Sequence, residues 1–271
     1  MKFQPPAGFV HRPGRQRRTM RVQTSPRRAH ELMRASIRSG FVSRDHRLVE
    51  ADLVKSLSTS RNAVRQALQM LADEGLVARA PRRGTSVAVS MVRMTLDQHD
   101  AIDRIPTAPE REGGPAFSAR LLERRIVPAT PYIRRRMGRD EPDVQMYEHL
   151  VSVHGEPIQV RVGYVPLGFD AGDIHPNEAN RARAFQLRFG RELGSSEDAI
   201  EAVACEARTS KLLGVPTGSP VLLRETLLTD SSGVAWELSF RYNRGDRVSL
   251  CASYDASGSG GIERLQPGAF G

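Results

Sequence analysis

Arg61, Asn62, Arg65 and Gln69 share one side of the amphipathic run 61–73, and their chemistry is that of reading nucleic acid. A guanidinium can span the two acceptors on guanine or hold phosphate oxygens, and an amide can pair with the edge of adenine. Arg61 and Arg65 stand one helical turn apart, so both can enter the same major groove. On the opposite side Val64, Ala67, Leu68 and Leu71 recur at i, i+3, i+4 and i+7, the stripe of a helix packed on a core. Ser60 precedes the run as a capping residue, and the free amides of a helix start also hold phosphate. Arg82, Arg83 and Gly84 follow in a turn between two short strand-like runs, and Arg47 lies just ahead of the preceding helix. These four are the expected backbone and minor-groove contacts. A single charged helix face is ordinarily solvated surface; the ordered array of break, helix and basic hairpin is far more specific.

The elements needed to hold these residues are legible. Leu32, Met33, Ser36 and Ile37 keep helical spacing from about Arg28, and Ser39-Gly40 ends that helix. A second helix is expected over Glu50–Leu57, then the break Ser58-Thr59-Ser60, then a third over Arg61–Asp73 stopped by Gly75. Leu76–Arg79 and Thr85–Val89 read as strands around Pro81-Arg82-Arg83-Gly84. Three helices and a basic hairpin describe a winged helix-turn-helix over residues 27–90, with the third helix as the recognition helix. Residues 1–26, rich in Arg, Pro and Gly, read as a disordered basic arm. Residues 91–116 read as a linker, 117–255 as a second domain, and 256–271 as a flexible tail.

The second domain reads as mixed α/β in which hairpins predominate. Strands are expected at Ala119–Val127, Val144–Val151, Ile158–Val165, Ile200–Ala207, Val221–Thr229, Val234–Tyr242 and Val248–Cys251, with helices at Pro131–Met137, Arg181–Leu193 and Thr209–Leu213. A faint internal repeat runs through it. Tyr132–Met137 and the hairpin through His154-Gly155 parallel Ser210–Leu213 and the hairpin through Ser232-Gly233. The parallel sets Arg161 against Glu237 and implies a cleft where the two hairpins face each other.

Charge separates the two parts. Residues 1–90 carry 18 Lys and Arg against 6 Asp and Glu, while residues 91–271 carry 22 against 25. Segregated positive charge suits a polyanion, because each neutralised phosphate releases counterions. No apolar stretch is long enough to span a bilayer and the start lacks a signal-peptide core, so a cytoplasmic protein is expected. The seven histidines form no metal-ligand spacing, and Cys205 and Cys251 read as two thiols. No Walker-type loop or Gly-x-Ser-x-Gly elbow is present, and neither a cofactor nor a catalytic residue is expected.

The N-terminal array resembles the GntR family of bacterial regulators. The resemblance is carried by Asp52-Leu53, the run Leu57-Ser58-Thr59-Ser60-Arg61-Asn62-Ala63-Val64-Arg65-Gln66-Ala67-Leu68, then Leu71-Ala72-Asp73-Glu74-Gly75-Leu76-Val77 and the wing Arg83-Gly84-Thr85. Asp45-His46-Arg47-Leu48 stands where the family has a Gly-Asp-x-Leu-Pro approach, and Ala51 stands where the family has an arginine. Arg44 or Arg47 is the expected substitute for that phosphate contact. The C-terminal half resembles the UTRA effector domain of the HutC subfamily. Val127-Pro128-Ala129, Gly155-Glu156-Pro157-Ile158, Tyr164-Val165-Pro166, Leu212-Leu213-Gly214-Val215-Pro216 and Tyr242-Asn243-Arg244-Gly245-Asp246-Arg247 carry it.

The resemblance implies an α+β fold: a winged helix-turn-helix joined to a chorismate-lyase-like domain with an antiparallel sheet. It implies a homodimer on a short DNA palindrome, each recognition helix in a major groove with centres about 34 Å apart, and a small-molecule effector in the cleft. Gln145, Tyr147, Arg161, Tyr164, Glu237, Ser239 and Tyr242 are the expected effector contacts. The family's sugar-phosphate readers carry arginines on the first hairpin strand, where this chain has Gln145, Tyr147 and His149, and a glutamate at the position of Arg161. That substitution points to a ligand carboxylate paired with Arg161, beside the phosphate that the family commonly takes. The function expected is a repressor released from its operator by a metabolite. The alternatives are an activator, a nonspecific nucleic-acid-binding protein, and a lyase-like enzyme with a DNA-binding appendage.

Overall fold

The computed structural model describes residues 25–80, 84–89, 91–96, 117–169 and 181–252. The basic arm lies outside these residues except for its last two, Ser25 and Pro26, which begin the first helix. Arg82 and Arg83, most of the linker and the tail also lie outside them.

Helix α1 (Pro26–Arg38) starts where the Ser25 hydroxyl accepts from the Arg28 amide and Pro26 pre-sets the first turn. Strand β1 (Arg47–Leu48), α2 (Glu50–Ser56), α3 (Arg61–Asp73), β2 (Val77–Ala80) and β3 (Gly84–Val87) follow. The strands form an antiparallel sheet in the order β1-β3-β2. Between α2 and α3 Ser58 takes a left-handed conformation, φ 47°. The stripe foreseen on α3 is fully inside: Val64, Ala67, Leu68 and Leu71 have no exposed surface and pack with Met33, Ile37, Leu76 and Val87. Burial of each valine, leucine, isoleucine or methionine among them stabilises by about 1.5–3 kcal/mol, and that orients α3 with its polar side outward.

The second body contains β4 (Val92–Thr95), β5 (Phe117–Pro128), α4 (Pro131–Met137), β6 (Asp143–Val153), β7 (Glu156–Val165), α5 (Arg181–Phe189), β8 (Leu193–Ala204), α6 (Ala207–Leu213), β9 (Pro220–Asp230), β10 (Ala235–Arg244) and β11 (Val248–Cys251). Six strands make one antiparallel sheet, ordered β5-β6-β7-β10-β9-β8. It consists of two strand-helix-strand-strand units, β5-α4-β6-β7 and β8-α6-β9-β10, joined where β7 meets β10. Their helices even end alike, on left-handed Gly138 and Gly214. The internal repeat is therefore structural.

The two faces of the sheet are covered differently. On one, α4 packs Ile133 and Met137 on Val144, Leu227 and Leu238, and α6 packs Leu213 on Leu150, Val160 and Val221. The other is covered at one end by α5, whose Phe185 and Phe189 meet Tyr147, Val165, Leu228 and Trp236. At its other end lies the parallel pair β4–β11, with Val92, Met94 and Val248 against Val151, Val153 and Ile158.

Three expectations change. Residues 92–95, read as the start of the linker, form β4, because Val92 and Met94 bury against the sheet. The helix expected to reach Leu193 stops at Phe189 and is followed by left-handed Gly190. The strand expected over Ile200–Ala207 runs from Leu193 to Ala204; its first half is a polar edge, with the Ser195 hydroxyl 2.6 Å from that of Thr229, and so lacks an apolar signature. Gly194 is required there: a Cβ would lie 2.2 Å from the Asp230 carbonyl oxygen.

Candidate nucleic-acid interface and buried charged site

The outward side of α3 presents Arg61, Asn62, Arg65 and Gln69, all exposed. Ser60 caps the helix by accepting from the Ala63 amide at 3.1 Å, which leaves the neighbouring first-turn amides facing outward. Two of the four reading candidates are tied to their surroundings. Arg65 pairs with Glu50 of α2 at 3.0 Å, and Gln69 donates to Asp73 at 2.8 Å while accepting from Arg79 of β2 at 2.9 Å. Arg79 also reaches the Arg65 carbonyl at 3.2 Å. It thus braces α3 against β2, an arrangement that sequence patterning did not single out.

Arg47 lies on β1, opposite Ser86 of β3. Its guanidinium passes over Gly84: a Cβ there would be 3.4 Å from Nε, and the Gly84 φ of +81° disfavours any other residue. The wing base is therefore basic and its closest approach is reserved for glycine. Arg82 and Arg83, the expected wing-tip contacts, lie outside the described residues.

The second site is the sheet face beneath α5. Alternation places Tyr147 and His149 of β6, Arg161 and Gly163 of β7, Glu237, Ser239 and Arg241 of β10, Arg224 and Thr226 of β9, and Asp198 of β8 on this face. Helix α5 adds Arg181 and Arg188. Glu237 is almost completely buried and accepts from Arg161 on one oxygen and, at 2.5 Å, from Arg188 on the other. Arg161 also donates to the Tyr147 hydroxyl at 3.3 Å, and the Arg188 guanidinium stands 4.6 Å from the Tyr147 ring centre. Asp198 takes both prongs of Arg224, at 2.8 and 2.9 Å, and the Thr226 hydroxyl at 2.6 Å, with Arg181 at 3.4 Å.

Electrostatics follow from this packing. Burial alone would raise the Glu237 carboxyl, but Arg161, Arg188 and Arg241 outweigh it and hold the group well below the usual carboxylate range. Asp198 is likewise held low, burial being outweighed by its bonds to Arg224. Arg241 is the exception. It donates to Thr226 at 2.6 Å, and burial with the nearby Arg161 and Arg224 charges pushes its guanidinium down to about 9.

Of the seven expected effector contacts, Tyr147, Arg161, Glu237 and Ser239 come together here. Gln145 shares the face but spends its amide on the Arg125 and Met146 carbonyls. Tyr164 and Tyr242 do not belong with them: they point through the opposite face, Tyr164 against Phe240 and Tyr242 into the core under α6. The separation has a simple cause. Period-2 alternation assigns residues 161 and 164, or 239 and 242, to opposite sides. Arg181, Arg188, Arg224 and Arg241 were missed, although an arginine inside each of two expected strands was the available signal. A separate cleft of about 250 Å³ lies at the start of β6, lined by Ile133, Arg139, Asp143, Phe169 and Trp236 among others. No group of His, Cys, Asp or Glu suited to a metal occurs among the described residues, nor any helix long and apolar enough to cross a membrane.

Comparison with known proteins agrees with both halves. Residues 27–87 match the model for bacterial regulatory proteins of the gntR family, and residues 112–249 match the UTRA domain. The chain is 24% identical over 226 residues to the HTH-type transcriptional repressor NagR of Bacillus subtilis, covering 81% of this chain and 90% of that protein. It is 27% identical over 201 residues to the histidine utilization repressor of Pseudomonas aeruginosa, covering 72% and 78%. Among solved structures, PhnF of Mycobacterium smegmatis superposes with a TM-score of 0.55 at 22% identity, covering 84% of this chain and 99% of that one.

Proposed function

The chain belongs to the gntR family of bacterial regulatory proteins that carry a UTRA domain, and from that premise we propose that it is a cytoplasmic, homodimeric repressor whose operator grip is released by a small molecule bound at the α5 face. The observation that carries this reading is the two-sidedness of α3. Its apolar stripe is wholly buried while Arg61, Asn62 and Arg65 face solvent beside a basic wing. Arg61 and Asn62 read base edges, Arg65 and Arg47 hold phosphates, Arg79 and Gln69 keep helix and wing in register, and Arg82, Arg83 and Gly84 enter the minor groove.

The route between the sites is short. Met91 packs on the core of the helical domain, and Val92 and Met94 pack on the sheet domain. Met94 touches Gln159, which donates to Asn243 at 2.7 Å, and these two flank Arg161 and Arg241 along their strands. A ligand that moves the arginines thus shifts the strand leading to the DNA-binding domain, and couplings of this kind amount to about 1–3 kcal/mol.

The test is binding of the full chain to duplex DNA from upstream of its own gene and to a scrambled duplex, at fixed salt. Specific DNA is expected to bind at least about 10³-fold more tightly, and the Arg61→Ala/Asn62→Ala protein is expected to lose most of that margin. Equal affinity for both duplexes overturns the reading.

A further inference from the structure

We infer that Glu50 is a specificity-determining residue: it holds the Arg65 guanidinium against α2 and so keeps that charge from gripping phosphate on DNA of the wrong sequence. This role rests on the proposal that the outer side of α3 reads DNA, and it adds a residue that sets the margin between right and wrong sites.

The outer side of α3 carries two guanidinium groups one turn apart, and their surroundings differ. Arg61 has no ion pair among the described residues, whereas Arg65 Nε donates to Glu50 Oε2 at 3.0 Å. Glu50 stands in the first turn of α2, where unpaired helix amides favour a carboxylate. An exposed pair of this kind adds little to the stability of a fold. A carboxylate beside a surface that meets a polyanion also repels every duplex. Glu50 is therefore accounted for by what it does to Arg65 rather than by what it adds to folding.

The pair takes only part of the Arg65 fork. Glu50 occupies Nε, which leaves Nη1 and Nη2 able to donate, and the side chain is 63% exposed. The Arg65 carbonyl is fixed as well, by Arg79 Nη2 at 3.2 Å. The fork is thus set at one place on the helix. It can donate to a phosphate delivered there, and it is neutralised against phosphates that pass elsewhere.

The two kinds of DNA complex feel this differently. On the operator, Arg61 and Asn62 fix the register and bring a phosphate to the held fork. Loss of Glu50 would remove repulsion there but also the aim, and ordering a freed side chain is itself costly. On other sequences no register is fixed, so loss of Glu50 only removes repulsion and releases Arg65. Arg65 then joins the counterion-displacing contacts that supply nonspecific binding.

The experiment measures binding of the full chain by anisotropy, to the upstream duplex and to a scrambled one, over a series of salt concentrations. Glu50→Gln is expected to tighten the scrambled complex about threefold to tenfold per dimer. It should also steepen the log–log salt dependence of that complex by about 0.9 per subunit. Affinity for the upstream duplex should change by less than about twofold, because lost repulsion and lost aim offset each other. Asp52→Asn removes a carboxylate from the same turn that is not the partner of Arg65, and is expected to leave the margin between the duplexes unchanged. In an Arg65→Gln background, Glu50→Gln is expected to alter the margin by less than about twofold. A merely structural Glu50 would instead weaken both complexes alike and leave the salt slope in place. The inference is overturned if Glu50→Gln keeps the margin and slope of the native chain, shifts both duplexes equally, or narrows the margin as much without Arg65 as with it. A native chain that binds both duplexes alike removes the regulator reading as well. A native chain that discriminates, with its margin untouched by Glu50→Gln, removes this inference alone.

Discussion

Replacing Gly163 by alanine adds one methyl group, and its effect can be worked out from the packing around Tyr147. At a strand position with ordinary backbone angles the exchange is expected to help slightly, by about 0.4–1 kcal/mol, through loss of chain entropy in the unfolded state. Here the new Cβ would meet the Tyr147 Cζ and Oη at 2.1 Å, where ordinary contact begins near 3.4 Å. The ring must therefore retreat by about 1.3 Å, yet Tyr147 is fully buried against Phe185, Phe189 and Trp236. Overpacking costs about 1–3 kcal/mol. Displacing the ring also sacrifices its contact with the Arg188 guanidinium, about 0.5–2 kcal/mol, and the Arg161 hydrogen bond, about 0.5–1.5 kcal/mol. Gly163→Ala should thus destabilise the sheet domain by about 1–6 kcal/mol, opposite in sign to the generic effect. Trp236 is the chain's single tryptophan and lies in the same cluster, so its fluorescence during urea unfolding reports on this domain. In a Tyr147→Leu background the added methyl finds space, and a coupling of at least about 2 kcal/mol is expected. A change under about 0.5 kcal/mol in the single variant, or an equal change in both backgrounds, would refute the packing argument.

Three further outcomes follow from the same structure. Leu68→Ala, at the fully buried centre of α3, should cost the helical domain about 2–5 kcal/mol, seen as earlier loss of helical circular dichroism while the Trp236 transition stays in place. Glu237 and Asp198 are held below their ordinary values of 4.5 and 3.8, so their contribution is fully present above about pH 4.5 and is lost as pH falls below that range; Trp236-monitored stability should decline on acidification, and Glu237→Gln should flatten that slope. Met94→Ala removes the contact between β4 and Gln159, and should reduce the ligand-induced loss of operator affinity while leaving ligand affinity within about threefold, measured by anisotropy and by thermal shift.

Where hydrophobic periodicity and capping act locally, the sequence anticipates the structure well. Helix α3 begins and ends at the expected residues because Ser60 caps it, four apolar positions share one stripe, and Gly75 supplies the left-handed stop. The repeat of helix and hairpin emerges for the same reason. What escapes is fixed by distant pairing. The two-residue β1 exists only because Arg47 and Leu48 meet β3, and β4 only because β11 lies beside it across more than 150 residues of sequence. The charged face is hidden more deeply, since arginines inside single strands do not show which strands lie side by side. Only the stacking of five strands and α5 shows that Arg161, Arg224 and Arg241 converge on one face. Tyr164 and Tyr242 were grouped with them by motif order, and alternation sends them to the other side.

The most direct test of the central claim is a base-substitution scan of the bound duplex, performed with the native chain and with Arg61→Ala. If the outer side of α3 reads sequence, Arg61→Ala should weaken binding by about 1–3 kcal/mol and erase base preference at one symmetry-related pair of positions, leaving preference elsewhere intact. Uniform weakening at every position, or no change in the scan, would contradict the account.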